Sequence, residues 1–214
     1  MHWRFDEIAD AIEAALVRAE ADLRLEQAVY GLDAMKELAL QQVLADGLSP
    51  AFCTVARECH YPSDLAKKKP GRRRCDLVLT PPGRPLLQAD EVSLFTPSDA
   101  CPPGEALWLE VKVAHQFAEG GRRHGGYGEQ WRGATVKDLQ KMEAETKVRE
   151  AGLLLLAFTG DEAVVEKDLE LFEDVLARKE VIAGFRQVRG LPILERNGHT
   201  RLTAALWPTI QRPA

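Results

Sequence analysis

The chain predicts a mixed α/β fold, a central sheet flanked by helices, on three observations. Helical periodicity fills the first stretch to about Leu44, and three strand-like runs cluster behind it. A helix, an apolar strand and another helix follow, an order that calls for a sheet with both parallel and antiparallel neighbours.

The elements follow in order. From Phe5 onward, Ile8, Ile12, Leu16, Ala19 and Leu23 recur at three- and four-residue steps, with acids between them. Gly31 divides this region, so a second helix is expected over 32–45. Its apolar face would carry Met35, Leu38, Ala39 and Gln42, while Glu37 and Gln41, four apart, share another face. Residues 52–62 read as a strand ended by Pro62, and "RCDLVLT" (74–80) as a second, closed by Pro81-Pro82-Gly83. The proline-, aspartate- and serine-rich stretch 83–105 reads as an irregular excursion with a short strand at 86–94. "LWLEVKVAHQF" (107–117) is the third clear strand.

Six glycines in the sixteen residues 118–133 read as a mobile loop, one that lacks the G-K-[ST] ending of a phosphate-cradling P-loop. A helix over 134–151, a buried strand over 152–160 and an amphipathic helix over 161–179 come next. Short strands end the chain between 185 and 208, with Asn197-Gly198 as a hairpin turn.

At 214 residues, 45% hydrophobic and 29% charged, the chain is expected to fold as one domain. It begins with no signal-peptide pattern, and its longest apolar run, 152–158, is too short to span a bilayer, so a cytoplasmic location is expected. Cys53, Cys59, Cys75 and Cys101 lack C-x-x-C spacing and are expected as free thiols. Cys59, His60, Cys75 and Cys101 also offer a zinc-ligand set, but strand cysteines are more often small core residues. The sequence leaves a homodimer open.

The net charge of −5 hides a contrast. Lys67, Lys68, Lys69, Arg72, Arg73 and Arg74 place six positive charges within eight residues, leaving −11 on the remainder. Such a loop either binds a polyanion locally or is balanced by solvent.

Chemistry concentrates on the second and third strands. Alternation puts Leu107, Leu109, Val111 and Val113 on one face, and Trp108, Glu110, Lys112 and Ala114 on the other. In the earlier strand Cys75, Leu77 and Leu79 would share one face, and Asp76 and Val78 the opposite one. Pairing these strands with apolar faces aligned brings Asp76, Glu110 and Lys112 together. Two close carboxylates repel unless neutralised, and Mg²⁺ or Mn²⁺ with oxygen ligands does this. The lysine then orients or deprotonates a water, or neutralises charge on a phosphate under attack. A second E-x-K, Glu145-Thr146-Lys147, falls in the expected helix, where positions two apart diverge, and carries no functional weight.

"RRCDLVLT" followed by "LWLEVKV", with a preceding helix bearing Glu37 and a later "DLQKME" helix and "GLLLLAF" strand, resembles the PD-(D/E)XK nuclease superfamily. The resemblance spans about 32–158 and implies a restriction-endonuclease-like αβββαβ core. It further implies phosphodiester hydrolysis with Mg²⁺ or Mn²⁺, on nucleic acid and on DNA foremost. Asp76 and Glu110 would be metal ligands, Lys112 the catalytic lysine, and Glu37 the additional acid. The chain departs from the pattern in having Cys75 rather than proline before Asp76. The long gap between Asp76 and Glu110 leaves room for an insertion. Glu58 rivals Glu37, which ranks ahead. The alternative is a nucleic-acid- or protein-binding module that keeps the fold without turnover.

Around this centre, Gln116 shares the phase of Glu110 and Lys112 and would touch water or phosphate, whereas His115, on the other phase, reads as structural. Lys67, Lys68, Lys69, Arg72, Arg73, Arg122 and Arg123 are candidate backbone contacts. His124, Tyr127, Trp131 and Arg132 would clamp or stack on a base, or merely keep the loop soluble. Lys141, on the helix after that loop, would reach a phosphate or, the better reading, is a surface lysine.

Overall fold

The computed structural model describes residues 3–48, 52–65, 68, 71–87 and 99–210. Two helices open the chain, α1 (Phe5–Leu25) and α2 (Glu37–Gly47), joined through a 3-10 turn at Leu32–Ala34. The strands β1 (Thr54–His60), β2 (Arg74–Thr80) and β3 (Leu107–His115) form an antiparallel meander. A small hairpin, β4 (Phe117–Ala118) with β5 (Arg122–Arg123), then leads into α3 (Tyr127–Glu143). This helix crosses over to β6 (Glu150–Thr159), which runs parallel to β3. After α4 (Glu162–Arg178), β7 (Gln187–Pro192) and β8 (Arg201–Pro208) pair antiparallel, with β8 against β6. Among the described residues the main sheet is thus six-stranded and mixed, in the order β1-β2-β3-β6-β8-β7.

Helices cover both faces. On one, Leu77, Leu107, Leu109 and Val111 pack with Ile8, Ile12 and Leu16 of α1 and Leu40 and Leu44 of α2. On the other, Val78, Trp108 and Ala114 pack with Trp131, Leu139 and Met142 of α3 and Phe172 of α4. β3 therefore alternates as its sequence dictates, and β6, with Leu153 and Leu155 on one side and Leu154 and Leu156 on the other, is buried on both. No helix among the described residues is long and apolar enough to cross a membrane.

Several expectations are corrected. Helix α2 starts at Glu37, and Leu40 and Leu44 form its buried stripe, while Leu38 is 58% exposed. The stripe fits closely: a Cβ on Gly47 would lie 2.4 Å from Ala15 Cβ, so α1 and α2 cross there on glycine. The glycine-rich 118–133 is not one loop. Gly120 and Gly121, at φ 78° and 74°, close the β4–β5 turn, and α3 begins at Tyr127. Trp131, 1% exposed, packs edge-on against Phe172, which outweighs the poor helix propensity of its glycine neighbours. Glu145 lies beyond the end of α3, buried and accepting from the Ser63 hydroxyl and the Lys147 amide, a structural role. Asn197-Gly198 sits inside the longer 193–200 connection rather than forming a two-residue hairpin. Of the expected 86–94 strand, Leu86 makes a lone bridge to Cys101, and 88–94 lie outside the described residues.

Candidate active site

The site forms where β2 and β3 part. Their ladder ends at Leu77↔Leu109. Beyond it Cys75 turns into the cluster of Tyr61, Val78 and Trp108 instead of joining Leu77 and Leu79 as strict alternation requires. The break has a local cause: Glu58, opposite on β1, adopts φ 54°, and Glu58 and Asp76 drop out of a ladder that holds Arg57↔Leu77 and Cys59↔Cys75. Asp76 uses the gap. Its Oδ2 accepts from the Val111 amide at 2.7 Å, so a side chain replaces the missing backbone partner and tethers Asp76 to β3.

Glu110 points to the α3 side and is 3% exposed. Its Oε1 accepts from Tyr61 Oη at 2.6 Å and from Lys141 Nζ at 2.5 Å. Lys141, only 15% exposed, is not the surface lysine expected; it also reaches Asp138 Oδ1 at 3.3 Å. Asp138 Oδ2 in turn lies 3.2 Å from Lys112 Nζ. Glu110 and Lys112 therefore do not neutralise each other: each pairs with a residue of α3. Tyr61 and Asp138 were not legible as site residues, and Lys141 only as a lesser reading, because they come from a strand end and a crossover helix whose facing is set by packing.

Burial first, then the nearby Asp76 charge, lifts the Glu110 carboxyl to about 6 despite Lys141 and Tyr61. Burial likewise raises Asp76 above the usual carboxylate range, with Glu37 and Glu58 adding repulsion and the Val111 amide and Lys112 opposing it. Glu37, at the first turn of α2, is raised mainly by burial, and then by Asp138, Glu110 and Glu58 against the pull of Lys112. For Lys112, burial favours the neutral form, but Asp138, Glu37, Asp76 and Glu110 outweigh it and leave the amine raised. Lys141 behaves the same way through Glu110 and Asp138. Four carboxylates (Glu37, Asp76, Glu110, Asp138) thus surround two ammonium groups, with Glu58 nearby.

That excess of negative charge fits a divalent cation. Asp76 Oδ1 and Glu110 Oε2 have no hydrogen-bond partner among the described residues, so each acid offers one oxygen while the other is anchored. No three acid, histidine or cysteine side chains among the described residues form a closed metal cage. Mg²⁺ does not need one, being held typically by one or two carboxylates, waters and substrate phosphate.

The other candidates divide. Glu58 pairs with Arg74 at 3.7 Å and is close enough to raise Asp76 and Glu37. Gln116 Oε1 accepts from the Gly160 amide at 2.8 Å and braces the end of β6 rather than facing phosphate. Arg73 is held by the fully buried Asp64 at 2.7 and 3.2 Å, and Arg72 donates to the Leu65 carbonyl at 2.7 Å, so both fold their loop back on the protein. Lys68 is exposed; Lys67 and Lys69 lie outside the described residues. Arg122 and Arg123 are exposed on β5. Trp131 is core, with Arg132 over its ring at 5.3 Å, so neither is arranged to stack on a base. The four cysteines are buried and outside any disulfide, and Cys75 Sγ contacts the Leu77 and Leu109 carbonyls.

Comparison with protein-family models, with curated proteins and with solved structures found no match.

Proposed function

We propose that the protein is a divalent-metal-dependent nuclease of the PD-(D/E)XK type, hydrolysing phosphodiester bonds in nucleic acid, DNA foremost, in the cytoplasm. The element order α2-β1-β2-β3-α3-β6, with β3 and β6 parallel, supports a restriction-endonuclease-like core. The observation that carries the reading is the carboxylate excess at the point where β2 and β3 splay, with one free oxygen each on Asp76 and Glu110.

Asp76 and Glu110 would hold Mg²⁺ or Mn²⁺, which when bound supplies Lewis acidity and a water of lowered pKa. Glu37, facing the same charges from α2, is the additional acid and ranks ahead of Glu58, whose carboxylate is partly committed to Arg74. Lys112 is cationic at neutral pH, so its part is to stabilise negative charge growing on the phosphate rather than to remove a proton. Asp138 positions Lys112, while Lys141 and Tyr61 hold Glu110 in place through one oxygen.

The test is cleavage of plasmid, linear duplex, single-stranded DNA and RNA with Mg²⁺ or Mn²⁺. Cleavage of at least one, lost in chelator and in Asp76→Ala and Lys112→Ala proteins that keep their circular dichroism, is the expected result. Folded protein inert on all four substrates removes the reading in favour of a binding module.

A further inference from the structure

We infer that the cavity at the end of β3 receives one unpaired nucleobase of the substrate strand, so that the preferred substrate is single-stranded or locally unpaired. This rests on the nuclease reading.

The cavity has a volume of about 680 Å³, in the range of small-ligand sites. Two elements it shares with the candidate active site lead to it. His115 on its wall is three residues beyond Lys112 on β3, on the opposite phase of the strand, stacked on Phe158. Met35, also on the wall, is two residues before Glu37 at the start of α2.

The lining selects against phosphate and for a neutral aromatic ring. Among the described residues no lysine or arginine lines the cavity, whereas Asp33 and Glu119 do. His199 Nε2 accepts from the Phe117 amide at 3.1 Å, which leaves a proton on Nδ1, directed at Asp33 Oδ2 3.0 Å away. Burial first, and then His199, holds His115 at about 4, so His115 is neutral at pH 7. Phe117 packs against the His199 ring at 5.3 Å, and the two give the cavity an aromatic wall. Asp33 has a fully buried side chain whose Oδ1 lacks a hydrogen-bond partner. That oxygen is closed to solvent, so Asp33 acts on the cavity through the His199 Nδ1 it holds.

The phosphates have their own place. Hairpin β4–β5 contributes Phe117 and Ala118 to the cavity wall and carries Arg122 and Arg123 exposed at its far strand. A strand laid along this hairpin puts backbone on the arginines and a base in the cavity. A duplex base reaches it only after unpairing and unstacking, which costs a few kcal/mol.

The experiment measures binding of the full chain in chelator, so that no cleavage intervenes, to a fluorescent single-stranded DNA of about 12 nucleotides, its duplex, and the same strand made abasic. Ala34→Trp fills the cavity from an exposed rim position, and Ala118→Trp fills it from the hairpin. Expected are single-strand binding about tenfold tighter than duplex or abasic binding, and loss of about that factor in whichever variant retains the wild-type melting temperature. Equal affinity for the three probes, or single-strand affinity unchanged in a folded variant, overturns the inference. The two readings separate: the base-dependent pattern without metal-dependent cleavage in the intact protein keeps the cavity and removes the nuclease. Cleavage without that pattern does the reverse.

Discussion

Lys141 Nζ lies 2.5 Å from Glu110 Oε1, and this contact, not one between Glu110 and Lys112, balances the charge in the centre of the β3 strand. The pair is almost fully removed from solvent. Removing the lysine alone leaves a buried carboxylate, which ordinarily costs about 3–5 kcal/mol. Lys141→Ala should therefore be destabilised at pH 8. The loss should shrink at pH 5, where Glu110, titrating at about 6, carries a proton and needs no cation. Urea unfolding at the two pH values reads this; an equal loss at both would place the effect in packing.

Glu110→Gln should keep or raise stability at pH 8 while abolishing cleavage. A carboxyl raised in the folded state from 4.5 to about 6 contributes stability below pH 4.5 that is lost as pH rises through 6. At pH 8 the ionised acid is thus a net cost of at most about 2 kcal/mol, which the amide removes. A melting temperature several degrees below wild type at pH 8 would contradict this ordering.

His115 makes the opposite contribution. Its folded pKa of about 4 lies below the ordinary 6.5, so the unfolded chain binds the extra proton. The stability it contributes is complete above pH 6.5 and is lost as pH falls toward 4. Screening of a partly open site brings the size to about 2 kcal/mol. His115→Phe should flatten the unfolding free energy between pH 6.5 and 4; an unchanged slope would assign acid sensitivity to other groups.

Arg122 and Arg123, exposed on β5, should act as phosphate contacts. Arg122→Ala and Arg123→Ala should each weaken binding similarly across sequences and reduce the slope of log affinity against log salt by about 1. Fluorescence anisotropy at several salt concentrations measures it, and unaltered slopes would remove the hairpin from the interface.

Much of the sheet was legible because β2 and β3 are short runs of strand formers buried largely on both faces, and β6 is apolar from Ala151 to Phe158. Glu110 and Lys112 stood out against that pattern. The facing of Asp76 was only half legible: alternation puts it opposite Cys75, but the left-handed Glu58 that breaks the ladder has no signature in a run of strand formers. The α3 contribution was hidden for another reason. Its glycine-rich first turns look like a loop until Trp131 finds Phe172, and only that docking turns Asp138 and Lys141 toward β3. On α2, the extended Met35 and Lys36 delay the helix start and rotate the expected apolar face away from Leu38.

The central claim is that Asp76 and Glu110 hold a divalent cation between them. Titration calorimetry of Mn²⁺ into wild-type and Asp76→Ala protein tests it most directly. One Mn²⁺ per chain bound by the wild type, and none by the folded variant, is the predicted result; absence of binding to the wild type, or equal binding to both, would contradict it.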